Sequence, residues 1–341
     1  MKLFGKDMNR QEFYRYFGDV SQVGGVKSYT LNSGKANGVR VVEVNTGAGL
    51  RFTVLLDRCM DIGWADFKGT PLNFISKAGI SSSMYYEHRS DELHRVFGPG
   101  LLTTCGLRNL GAPCVVDGEE FAQHGRIHNA PAENVSVFAD WVGDEYKIVI
   151  RGQMREAVLY NENLYLVRTI ETALGETTFT IKDEIRNFSF RDEPVCILYH
   201  CNFGYPIVSE DATVFYPPAD IVNEPLDWRP ARWSPELGKL EAPQTSSKGG
   251  FRLRFDDEDI RLGIRNETLE GFNGVYMQYK KSQLPYYGMW RNLVQGDYVV
   301  GLEPGTSSTD GRKKNLAKNA LKVLAPMESM QMELTFGILT E

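Results

Sequence analysis

Two ionisable side chains interrupt apolar runs in which a packed strand has no use for them. His200 lies within Val195-Cys-Ile-Leu-Tyr-His-Cys-Asn202, and Glu303 closes the run in Tyr298-Val-Val-Gly-Leu-Glu-Pro-Gly305. Taking such groups out of water is unfavourable unless each finds a partner or a task. A histidine and a glutamate brought together from distant strands make an acid/base pair, because one can be ionised while the other is protonated near neutral pH. Their mutual attraction is expected to raise the histidine pKa and lower that of the glutamate. On the period of two, Asn202 shares a face with His200, and Gly301 shares one with Glu303, leaving space where a ligand could approach. Pro304 ends ordinary ladder pairing.

Three further clusters carry polar chemistry. If His124-Gly-Arg-Ile-His128 is extended, His124, Arg126 and His128 line one side as a hydrogen-bonding wall. Arg58 and Arg108 sit in short polar turns beside apolar neighbours, and a guanidinium fork recognises carboxylate, phosphate or paired hydroxyls. Two of the three arginines facing a cleft would imply a substrate with an acidic group. Trp290 offers an apolar face for a sugar ring. The candidate site is therefore His200 and Glu303 for proton transfer, with His124, Arg126, Arg58, Arg108, Asn202 and Trp290 for binding. Each has a structural alternative: a satisfied core histidine, a carboxylate paired with arginine, or a solvated loop.

The elements that must position these residues are mostly strands. Asn9–Phe17 has helical spacing and stops at Gly18. Thereafter short β runs alternate with Gly, Asn and Asp turns, at 39–45, 50–56, 62–66, 135–138, 146–151, 164–170 and 178–186, with a closing strand at 328–339. Residues 84–96 read as a short polar helix or an inserted loop, and a Pro-rich connection runs from Pro225 through Pro243. The pattern predicts an all-β sandwich or barrel in one domain spanning 1–341, with 1–38 a helical or irregular extension.

Composition excludes several classes. The formal charge of −6 disfavours nucleic acid, and no apolar run approaches the ~20 residues needed to span a bilayer, so no membrane partner is expected. The amino terminus lacks a secretory h-region, which makes cytoplasm the default compartment. Five cysteines form no CxxC or Cys/His metal spacing and read as reduced thiols, and no metal or organic cofactor is called for. The chain has no GxxxxGK[ST] loop, no strand followed by GxGxxG and no GxSxG elbow.

Taken in order, His124 in HGRIHN, His200 in LYHCNFGYP and Glu303 in GLEPGTS resemble the aldose 1-epimerase (galactose mutarotase-like) superfamily, in its divergent aldose 1-epimerase-like branch. The resemblance extends roughly from Val39 to the carboxy terminus. It implies a large antiparallel β-sandwich with a sugar cleft on a concave sheet face, Glu303 as general base, His200 as general acid, and His124 near the sugar ring oxygen. The sequence departs from galactose mutarotases in lacking their Asn-Arg-Ile stretch before the first histidine and an aspartate within 273–278. The expected function is interconversion of the anomers of a sugar, acidic or phosphorylated if the arginines face the cleft. A sugar isomerase acting at another carbon and a non-catalytic carbohydrate-binding protein are the alternatives. The expected partner is a small-molecule sugar, with homo-oligomerisation left open.

Overall fold

Strands expected from alternation form, and most run longer than the apolar residues alone indicate. The computed structural model describes residues 1–222, 232–246 and 249–340; the Pro-rich connection beginning at Pro225 lies partly outside them. The predicted amino-terminal helix is a single α-helical turn, Arg10–Phe13, closed by reciprocal capping between Asn9 and Glu12. Within the 1–38 segment, Gly25–Thr30 is a strand paired with Arg40–Asn45. It opens a five-stranded antiparallel sheet.

Two larger sheets make the body. One has eight strands and centres on the long hairpins Glu145–Ala157, Asn163–Ala173 and Thr178–Asn187, with Ser329–Leu339 beside the last. The other has seven. Across it run Phe251–Phe255, Tyr286–Val294, Asp297–Gly305 and Glu193–Phe203, and Leu102–Leu107 pairs with the far side of Glu193–Phe203. The main core joins inward residues of all three sheets, including Phe52, Ile150, Ile181, Tyr199, Leu302 and Phe336. Among the described residues no helix is long and apolar enough to cross a membrane. All five cysteines are unpaired, and four of them are buried.

A charged hub ties the sheets together inside this core. Arg168 is fully buried and donates from Nε and Nη2 to the two oxygens of Asp183 at 2.9 and 2.7 Å, and from Nη1 to Asp61 at 3.1 Å. Tyr199 donates its hydroxyl to Asp183 at 2.8 Å, and Thr104 donates both its amide and its hydroxyl to Asp61. Burial still pushes the Asp61 carboxyl up to about 6, against the pull of Arg168 and Thr104. Tyr199 and Thr104 are cross-strand partners, as are their neighbours His200 and Thr103. The hub thus holds one face of this strand pair and leaves the other face to the cleft.

Candidate active site

Register brings the two interrupting residues together. Leu198 pairs with Gly305 and Cys201 with Leu302, so His200 stands directly across from Glu303. His200 Nε2 lies 3.2 Å from Glu303 Oε1. On its other side Glu303 pairs with Gly288, and Gly288 pairs with Arg252. One row across the sheet therefore reads Arg252, Gly288, Glu303, His200 and Thr103. In the next row Trp290 pairs with Gly301. A β-carbon on Gly301 would stand 2.8 Å from Glu303 Oε1 and 3.3 Å from the His200 ring, so the bare backbone is what lets the pair meet.

The pair forms the floor of a cleft of about 770 Å³ whose walls include His94, Phe97, His124, Arg252 and Trp290. The His200 ring is edge-on to three others: Phe97 and Trp290 at 5.5 Å and His124 at 5.8 Å. Both members are shielded, with side chains 7% and 9% exposed. His200 Nδ1 and Glu303 Oε1 make no hydrogen bond to protein.

This shielding reverses the expected electrostatics. Burial pushes His200 down to about 4 and Glu303 up to about 7, the latter opposed only by the Arg252 charge. Desolvation is the largest cause for both groups, so near neutral pH the imidazole is uncharged and the carboxyl is close to its midpoint. The sequence-based expectation of a protonated histidine facing an ionised glutamate is corrected accordingly.

The remaining candidates divide. His124 reaches the cleft, but from a turn: its φ is +59°, Gly125 follows at +75°, and Ile127–Asn129 is a short 3-10 turn. No flat wall exists. His124 Nδ1 accepts the Gly111 amide at 3.4 Å, and burial lowers its pKa to about 3. Arg126 points to solvent and does not line the cleft, while His128 is fully buried against Tyr86. Arg58 is buried elsewhere, donating to the His128 carbonyl and to Ser81. Arg108 is engaged by Glu119 and Glu162. Asn202 turns back on its own strand, Nδ2 donating to the His200 carbonyl at 2.7 Å. Only His124 and Trp290, of the six binding candidates, line the cleft with the pair. The arginine argument for an acidic substrate falls with those placements.

Arg252 was missed. It donates to Asp310 at 2.7 Å and to the Thr309 hydroxyl at 3.3 Å, within the field of Glu303. The alternation Phe251-Arg-Leu-Arg-Phe255 was the available signal, since it puts Arg252 opposite the core-facing residues. The 84–96 segment forms two 3-10 turns, Ser83–Tyr85 and Glu92–Arg95, and supplies Asp91 and His94 to the rim.

The sheets have the fold of galactose mutarotase-like proteins. A candidate aldose 1-epimerase from Klebsiella pneumoniae superimposes with a TM-score of 0.79 at 22% identity, covering 93% of this chain and 83% of its own. A galactose mutarotase-like protein from Clostridium acetobutylicum aligns at 0.61 and 14%, over 94% and 100% of the two chains. Galactose 1-epimerase from Lactobacillus acidophilus aligns at 0.54 and 11%, over 92% and 98%. No curated protein matches the sequence. The chain belongs to the family described as a domain of unknown function, DUF4432, whose model matches residues 36–338.

Proposed function

We propose that this protein interconverts the anomers of a sugar by acid/base ring opening and closure. The observation that carries the reading is the cross-strand pair itself, His200 Nε2 at 3.2 Å from Glu303 Oε1 on the cleft floor. Ring opening needs one proton removed from the anomeric hydroxyl and one delivered to the ring oxygen. The bond between the anomeric carbon and the ring oxygen breaks, the aldehyde turns, and closure reverses both transfers.

A pair holding one proton can run this cycle without exchanging protons with solvent. With Glu303 ionised and His200 protonated, Glu303 takes the hydroxyl proton and His200 protonates the ring oxygen. Opening leaves a neutral carboxyl and a neutral imidazole, which is the arrangement that burial favours. Closure restores the charged form. Each half-reaction moves the same two protons, and positioned acid/base groups of this kind contribute about 10²–10⁴-fold each. His124 Nδ1 is occupied as an acceptor, which leaves Nε2–H as the donor towards a bound sugar. Trp290 and Phe97 supply apolar faces.

The test is saturation-transfer NMR between anomers, screened over neutral, phosphorylated and acidic sugars. Anomer exchange accelerated by the wild type and lost in Glu303→Gln supports the reading. Solvent deuterium entering a carbon position would establish an isomerase at another centre instead. Saturable binding with no acceleration would leave a carbohydrate-binding protein.

A further inference from the structure

Past Glu303 the cleft continues into a second compartment of about 440 Å³. The two share Arg252, Gly288, Glu303 and Thr309 in their linings, while His124, His200 and Trp290 line the first alone. Gly288 sits at the junction, between Arg252 and Glu303 in the row across the sheet. Gly288 lines both compartments, and a β-carbon there would make only ordinary contact with Glu303 Oε2 at 3.4 Å, so a larger side chain is what would narrow the junction. The ring undergoing chemistry belongs in the first compartment, and whatever enters the second is attached to it. A single hexose, with about twelve heavy atoms, is small beside the ligands that fill pockets of about 300–1,000 Å³. Two compartments of 770 and 440 Å³ exceed what one hexose ring uses.

The chemistry of the second compartment narrows the occupant. Its cations contact carboxylates already: Arg252 and Lys318 reach Asp310 at 2.7 and 3.0 Å, and Arg254 reaches Asp220 at 2.8 Å. Compensated pairs offer alternating donors and acceptors, which suit hydroxyl groups better than they suit a phosphate dianion. Tyr286, 37% exposed, adds an aromatic face. Resting on the mutarotase reading, we propose that the substrate is a reducing oligosaccharide, with its reducing ring against His200 and Glu303 and the next ring in the second compartment.

The experiment compares reducing disaccharides having gluco, galacto and manno reducing ends, each against its own monosaccharide. Affinity is read by calorimetry and anomer exchange by NMR. Ala320 lines only the second compartment, so Ala320→Trp fills it, and Tyr286→Ala removes the aromatic face without adding bulk. At least one disaccharide is expected to bind about tenfold or more tightly than its monosaccharide. Ala320→Trp should abolish that advantage and leave the monosaccharide unchanged, and Tyr286→Ala should reduce it. The proposal is overturned if no disaccharide outbinds its monosaccharide, if the advantage survives in both variants, or if a sugar phosphate binds better than any disaccharide. Absence of anomer exchange on every sugar, with the affinity difference intact, would defeat the mutarotase reading and leave the two-ring site standing.

Discussion

Tyr199 and His200 are consecutive residues on one strand, and their two faces treat buried polarity in opposite ways. Below the strand, Tyr199 joins Arg168, Asp183 and Asp61 in a hub where no side-chain nitrogen or oxygen is left without a partner. Above it, His200 and Glu303 are almost as well shielded but keep orphaned atoms, His200 Nδ1 and Glu303 Oε1. A satisfied network holds a register rigidly. An unsatisfied one stores polarity for a ligand, and burial moves its pKa values with only the Arg252 charge set against the shift of Glu303. The same strand therefore carries a stabilising site and a site that gives up stability, one residue apart.

Substitutions in the two sites should separate activity from stability. The largest effect is expected from Glu303→Gln, which should lower the rate of anomer exchange about 10²–10⁴-fold while circular dichroism stays that of the wild type. Arg168→Met should do the reverse, lowering unfolding free energy by about 3–5 kcal/mol in denaturant titration, because Asp183 and Asp61 are left buried and uncompensated. If Glu303→Gln unfolds the protein, or Arg168→Met costs nothing, the contrast between the faces is wrong.

Glu303→Gln should also be more stable than the wild type at alkaline pH. The folded-state carboxyl sits near 7, above its unfolded value, so the native state binds the extra proton and ionisation destabilises it as pH rises between the two values. The gain should be absent near pH 4, grow towards pH 7, and level off on the order of 3 kcal/mol above it. Chemical denaturation at pH 5 and pH 8 measures the difference. Activity carries the matching signature. The pair needs its single proton, so kcat/KM should decline above about pH 7, where Glu303 releases it, and below about pH 4, where His200 gains a second. An alkaline limb that persists unchanged in Glu303→Gln would remove that carboxyl from the profile. The smallest effect is expected for Tyr199→Phe, about 1 kcal/mol of stability, because Asp183 retains both Arg168 contacts.

Strand content and the two residues that interrupt the apolar strands, His200 and Glu303, were legible because alternation depends on local geometry alone. Leu198, His200 and Asn202 can share a face only if the chain is extended there, and the apolar residues around them require that it is. Of the six binding candidates, only His124 and Trp290 were placed correctly at the cleft. Arg58 and Arg108 look like ligand-binding cations beside polar turns, and what occupies them comes from distant residues, the His128 carbonyl for one and Glu162 for the other. His124, Arg126 and His128 were assigned one face on an assumed period of two. Positive φ at His124 and Gly125 instead sends the three side chains to the cleft, to solvent and to the interior.

By itself the sequence determined that this is an all-β chain, which residues lie on which face of each strand, and that His200 and Glu303 are out of place in packed strands. Tertiary structure decided who stands beside whom. Register set His200 across from Glu303, the absent side chain at Gly301 made room for them to meet, and the rings of Phe97, His124 and Trp290 closed off water. It also decided where the proton rests. Coulomb attraction between two residue types can be anticipated from their names, but desolvation depends on how much of the molecule surrounds them, and here it is the stronger of the two.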